Sequence, residues 1–234
     1  YFEAGITPLL INEPIWLLLN LGLVQLFSPM ATFNLIVFSG SFLFAYNFIN
    51  LSRIKQSNIS GIFIVLLFLL MPLTLKNYTT HIRQGFAIGI LLAGLGTSGI
   101  KQKVLMVISI FIHTSMMAVL FFWLIHQSRR FNRLGLDLKI IIIIIFSLLL
   151  AFGLEWVAQI LGDRRLYSYS FERPPVSGLG GLFWFTILLV GITNGKSWLK
   201  DNSYFLYAII FYLITYFFIE VSARFFESSI PIIL

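Results

Sequence analysis

From Pro14 to Ser52 the chain carries no charged side chain. About 20 largely apolar residues suffice to cross the hydrocarbon of a bilayer as a helix, so this stretch is too long for one. Ser28-Pro29 is the natural break. It divides the run into a short first element, Ile15–Phe27, and a full span, Thr32–Leu51. Later apolar runs predict spans over Ile59–Leu75, Val104–Ile125, Ile140–Leu161, Gly178–Thr193 and Ser203–Glu220. Between them lies Gln84–Ile100, uncharged but only 17 residues long and carrying five glycines. The runs are continuously apolar rather than alternating, which makes them helices and not barrel strands. Even the six isoleucines at 140–145 read as lipid-facing helix within a span of that length. The expected architecture is all-α: a polytopic transmembrane helical bundle of about seven to eight membrane segments. It forms a single integral membrane domain over residues 1–234, with no internal repeat and no soluble domain.

Composition agrees. Apolar residues make up 59% of the 234 positions and charged residues 11%, whereas soluble domains carry roughly 25% charged residues. Such a chain cannot clothe a globule in polar groups, and its outside must face lipid. The net charge of +7 does not point to nucleic acid. Its Lys and Arg residues lie between apolar runs, where they meet lipid phosphates or set topology. Cysteine is absent, and His81, His113 and His126 are scattered, so neither a metal site nor a cofactor is expected. No Gly-rich phosphate loop, paired-Asp motif or HExxH occurs. Any group transfer must therefore use a donor already in the membrane. The chain starts at Tyr1 and ends on Ile232-Ile233-Leu234, which suggests that the natural protein extends beyond one or both ends.

Topology does not follow from charge. If every segment crosses, Lys and Arg divide eight against eight between the two sides, and the positive-inside rule gives no orientation. A re-entrant Gln84–Ile100 keeps the tie but brings Arg83, Arg164, Arg165 and Arg224 to one side. Irregular segments of this kind are tolerated where protein or a water-filled cavity surrounds them.

Polar groups in apolar surroundings are costly and are the first functional candidates. Tyr78-Thr79-Thr80-His81-Ile82-Arg83-Gln84-Gly85 opens the glycine-rich segment, in which Gly85, Gly89 and Ala93 recur every four residues and invite a close helix neighbour. Arg83 at such a helix start can offer its planar fork to a phosphate, or simply snorkel to headgroups. His113, with Thr114 and Ser115, lies near the middle of Val104–Ile125 and suits either a general base or interhelical hydrogen bonding. The longest hydrophilic stretch, Gly162 to Pro175, holds Arg164, Arg165, Tyr167, Tyr169, Arg173, Asp163 and Glu172. Arginine pairs suit a pyrophosphate and tyrosine rings suit sugar C–H faces, though an interfacial aromatic belt has the same composition. Glu220 and Arg224 are one helical turn apart and able to pair. Glu13-Pro14 puts a carboxylate at a helix start, where the dipole favours it.

These clusters together resemble one family. Glu13-Pro14 and His81-Ile82-Arg83-Gln84-Gly85-Phe86-Ala87 resemble the "E-P" and "iRqglA" elements of EpsG-type membrane proteins. Lys101-Gln102-Lys103 with Phe111-Ile112-His113-Thr114-Ser115 resembles the basic turn and "H-x-S" element that follow. Arg164-Arg165-Leu166-Tyr167 and Ala223-Arg224-Phe225-Phe226 resemble its later loop and C-terminal element. The resemblance implies a Wzy-like polymerase of exopolysaccharide, capsule or O-antigen in the bacterial cytoplasmic membrane, with its active site on the outer face. It would join undecaprenyl-diphosphate-linked oligosaccharide repeat units by metal-independent glycosyl transfer. Its partners would be the lipid-linked oligosaccharide, membrane lipids and other polysaccharide-assembly proteins. Arg83, Arg165 (or its neighbour Arg164) and Arg224 would hold the diphosphate, Tyr167 a sugar ring, and Glu13 or His113 would take the acceptor's proton. A transporter or flippase of lipid-linked sugars, or a noncatalytic membrane subunit, are the alternatives. Family members carry additional N-terminal membrane segments, so this chain is expected to be a fragment.

Overall fold

The computed structural model describes residues 13–51, 59–127, 131, 133–161, 178–218 and 222–233. Among these there is no strand, and twelve helices follow one another. They are α1 Pro14–Leu26, α2 Pro29–Leu51, α3 Ile59–Leu70, α4 Pro72–Thr79, α5 Ile82–Leu95 and α6 Gly99–Ile112. The remainder are α7 Met116–Gln127, α8 Leu136–Leu161, α9 Leu179–Thr193, α10 Gly195–Asp201, α11 Ser203–Thr215 and α12 Ser222–Ile233. The expected all-α membrane bundle is what the chain forms. It contains two compact units that divide after Met116.

In the first unit α5 is the central helix. Gln84, Ala87, Ile88, Leu91 and Leu92 are buried on it together with three of its glycines. It packs against α2, α4 and α6. On α2, Thr32, Ile36, Gly40, Phe44 and Phe48 form a buried row at every fourth position. The opposite side of α2 carries Phe38, Phe42 and Tyr46, stacked ring on ring and turned outward, Phe38 with 72% of its surface exposed. Large apolar rings turned outward suit a helix solvated by lipid, while Gly40 in the buried row lets Phe86 of α5 approach closely.

The glycines of α5 do not share one neighbour. A Cβ on Gly85 would sit 2.2 Å from the carbonyl oxygen of Asn77 in α4, and one on Gly89 3.1 Å from the backbone nitrogen of Phe44 in α2. Gly94, not Ala93, meets α6, where a Cβ would lie 3.2 Å from that of Leu105. The expected single small-residue face is thus corrected to three separate close approaches. Gly85→Ala should destabilise the unit by about 1–3 kcal/mol, because neither the carbonyl nor the helix can yield cheaply. Gly22→Ala, with nothing within 4 Å, should be neutral. Thermal unfolding of the detergent-solubilised full-length protein measures both.

Prolines set two boundaries. The break at Ser28-Pro29 falls where the sequence places it: the Ser28 hydroxyl accepts from the Ala31 N–H at 3.3 Å, and Pro29 opens α2. The expected span Ile59–Leu75 is instead broken, because Pro72 starts α4 and holds Met71 extended. Val104–Ile125 is also broken, at His113, which has extended backbone and ends α6. Ser203–Glu220 ends as an α-helix at Thr215.

By length and apolarity, Pro29–Leu51 and Leu136–Gly153 are able to cross a membrane. The pair α9–α10 joins them only if a helix bent by 118° at Asn194 counts as one span. The apolar helices α1, α5, α7 and α11 have 12 to 14 residues each. That is about 20 Å, well short of the ~30 Å hydrocarbon layer.

In the second unit α11 is central, burying Tyr204, Leu206, Tyr207, Ala208, Ile209, Phe211 and Tyr212. It lies against α8, α9 and α12. Phe211 is the hub of the aromatic packing, in contact with Phe122, Phe146 and Phe225.

Candidate functional site

Glu13 is the position at which the chain enters α1. Pro14 follows it at the first helical position, where a missing N–H costs nothing. Its carbonyl accepts the first helical bond, from the Leu17 N–H at 3.1 Å. Its backbone is left-handed, φ 62°, and Glu13 is the sole non-glycine residue with positive φ among the described residues. A conformation of this kind costs on the order of 1–3 kcal/mol and persists where surrounding contacts impose it. Those contacts are at the other end of the side chain. The carboxylate makes no cap to its own helix and turns inward, leaving Glu13 only 2% exposed.

Two groups meet it there. Arg83 Nη1 donates to Glu13 Oε2 at 2.5 Å, and His113 Nδ1 lies 2.5 Å from Glu13 Oε1. A carboxylate can only accept, so the network places a proton on Nδ1, and in the neutral form of the ring the lone pair is on Nε2. Arg83 is the second residue of α5, beside N–H groups that a helix start leaves open. His113 is the residue at which α6 stops, its N–H bonded back to the Ser109 carbonyl. Arg83 and His113 are thus held at the same place by one carboxylate. With a three-residue turn at 96–98 between them, α5 and α6 form a hairpin whose open end is this site. The returning leg is Gly99–Ile112. This corrects the reading in which Gln84–Ile100 alone dips and returns, and it moves His113 from mid-span to a helix terminus.

The walls come from neighbouring helices. Trp16 of α1 meets Phe86 of α5 edge to face, ring centroids 6.2 Å apart, and Phe86 also covers Gly40 of α2. This holds α1, and with it Glu13, against the start of α5. Asn77 and Gln84 are nearly fully buried beside the α4–α5 junction. Sequence reasoning passed over Asn77, one residue before the polar cluster it singled out. Its signal was an amide next to Lys76 at the edge of that polar cluster, eight residues before Gly85, the position that receives its backbone.

Glu13 and His113 are buried while 43% of the Arg83 side chain is exposed. One nitrogen of the guanidinium is engaged by Glu13; the rest of its planar fork has access to an incoming anion. The arrangement therefore combines a fixed cation at a helix start, an imidazole of set tautomer and a carboxylate that positions both. Among the described residues no cluster of three or more His, Asp or Glu side chains is placed to hold a metal ion. Of the other sequence-predicted site residues, Arg164, Arg165 and Tyr167 lie outside the described residues. Arg224 lies on α12 in the second unit, with its side chain outside the described set.

The family model named EpsG family matches residues 2–234, essentially the whole chain. The chain belongs to the EpsG family. No curated protein and no solved structure matches it. EpsG proteins are Wzy-like polysaccharide polymerases, which gives this membrane-embedded protein a role in polysaccharide biosynthesis. The three residues gathered at the open end of the hairpin come from three of the motifs on which the resemblance to EpsG proteins rested.

Proposed function

We propose that this EpsG-family protein is a glycosyltransferase that polymerises oligosaccharide repeat units carried on undecaprenyl diphosphate, working at the outer face of the bacterial cytoplasmic membrane. The observation that carries the reading is the meeting of Arg83 and His113, thirty residues apart in sequence, on the buried carboxylate of Glu13. A polymerase of this kind has two tasks. It must hold the charge that develops on a diphosphate leaving group, and it must relieve a weakly acidic sugar hydroxyl of its proton.

In the proposed step a hydroxyl oxygen of the incoming repeat unit attacks the anomeric carbon of the growing glycan. The bond from that carbon to the diphosphate oxygen breaks, and its electron pair stays with the lipid diphosphate. Arg83 receives that charge through charge-assisted hydrogen bonds from a guanidinium that Glu13 holds in place. The hydroxyl proton passes to His113 Nε2, and Glu13 stabilises the imidazolium through Nδ1. A single displacement inverts the anomeric configuration. Arg165 or Arg164, together with Arg224, would extend the grip on the diphosphate, and Tyr167 would lie against a sugar ring.

The test is complementation of a strain lacking its own polymerase, read as glycan ladder length with membrane abundance measured in parallel. Full-length wild type should restore long chains, while His113→Ala and Arg83→Ala, at normal abundance, should leave single repeat units. Normal ladders from His113→Ala would remove it from the chemistry. A wild type that changes only the amount of single-unit glycan at the surface would make the protein a transporter instead.

A further inference from the structure

The second unit carries a surface feature that the transfer reaction does not use. The 118° bend at Asn194 turns α10 across the end of α9 instead of continuing it. Gly191 permits the turn: a Cβ there would lie 2.8 Å from the Trp198 ring, which also meets Phe205 of α11 edge to face, centroids 6.3 Å apart. Trp198 is therefore clamped between α9 and α11. Lys196, Ser197 and Lys200 face outward from the same short helix. Indole inward at the end of an apolar helix with lysines outward one turn apart is the pattern of a segment lying at the membrane–water boundary.

Other basic residues come to the same end. His126 Nδ1 is 2.9 Å from the Ser203 hydroxyl, which ties the last turn of α7 to the first residue of α11. In sequence the start of α8 follows α7 through a short connection. Arg133 is exposed in that connection. Through the His126–Ser203 bond, the connection that carries exposed Arg133 comes to the same end of the unit as exposed Lys196 and Lys200. In sequence the same connection also contains Arg129 and Arg130.

We infer that the face of α10 bearing Lys196 and Lys200 is a docking surface for anionic phospholipid headgroups of the cytoplasmic leaflet, and that this end of the unit is the cytoplasmic one. The charge is complementary to that leaflet. Short loops rich in Lys and Arg remain on that side, and each lysine near an anionic surface contributes on the order of a fivefold preference. Where loop counting ties eight to eight, the helix packing supplies the orientation. The inference does not depend on the polymerase reading.

Residues 1–234 hold no cysteine, so Ser197→Cys in the full-length protein, with any cysteine outside these residues changed to serine, gives a unique label site. In intact spheroplasts a membrane-impermeant maleimide should leave it unlabelled until the membrane is permeabilised; labelling from outside overturns the orientation. For the lipid, a fluorophore on the same site is read in nanodiscs containing brominated phosphatidylglycerol or brominated phosphatidylcholine. Quenching should favour phosphatidylglycerol. Lys196→Gln with Lys200→Gln should abolish the preference, a loss of about 25-fold if the two add, while Lys196→Arg with Lys200→Arg should keep it. Unchanged quenching by phosphatidylcholine shows that the variants retain their fold. Equal quenching by the two lipids in the parent protein, or a preference that survives the glutamines, overturns the docking surface.

Discussion

Glu13→Gln should reduce chain extension by about 10²–10⁴-fold, the range for losing a positioned proton acceptor, with little change in membrane abundance. The reason is in the donor count. Glu13 accepts from Arg83 through one oxygen and from His113 through the other. An amide of the same shape has one accepting oxygen and one donating nitrogen, so it cannot satisfy two donors at once. Arginine has no alternative protonation state, whereas imidazole does. The amide oxygen therefore stays with Arg83 and its NH₂ turns to His113, which shifts its proton to Nε2. That is the nitrogen needed to accept the sugar hydroxyl's proton. Replacing the carboxylate behind a catalytic histidine by an amide costs about 10⁴ in the Ser-His-Asp case through the same change of tautomer. The measurement is the initial rate of ladder formation in membranes holding equal amounts of full-length wild type and variant. A wild-type rate from Glu13→Gln would show that the carboxylate does not orient His113 for chemistry.

That Glu13, Arg83 and His113 were legible as candidates follows from cost. Charged and polar side chains bordering apolar runs are expensive in a membrane, so they stand out with no structure in hand. Their convergence was not legible. It depends on α6 ending at His113, and His113-Thr114-Ser115 is too brief to interrupt a hydropathy window flanked by Ile108–Ile112 and Met116–Phe122. Met71-Pro72 was hidden in the same way by the leucines around it. The glycines show a different failure. Gly85 and Gly94 are nine residues apart, which at 3.6 residues per turn places them about 180° apart around α5. They must therefore serve different neighbours, and a periodic row of small residues says that helices come close without saying which. That large apolar side chains face outward was readable from composition alone, because a chain with 11% charged residues cannot cover itself with polar groups. Which three- or four-residue turns divide it was not, because lipid-facing sequence has little polarity with which to mark a turn.

Arg83 offers the sharpest separation of structure from chemistry. Arg83→Ala should lower polymerisation by about 10²–10³-fold, the usual cost of removing one preorganised donor from a developing charge. It also leaves a buried carboxylate with one partner fewer, so reduced abundance alone could mimic the effect. Arg83→Lys keeps the charge but not the planar fork. A lysine ammonium pulled toward Glu13 cannot also present parallel N–H groups to a diphosphate, and activity should fall by at least about tenfold. The decisive variant removes both charges together. Glu13→Gln with Arg83→Gln leaves two neutral amides that can hydrogen-bond to one another, so thermal stability should return to near that of the parent. If the pair exists to hold α1 against α5, polymerisation returns with it. If Arg83 receives the diphosphate and Glu13 sets the tautomer of His113, the double variant is stable, abundant and inactive, and inactivity at restored stability is the result expected here.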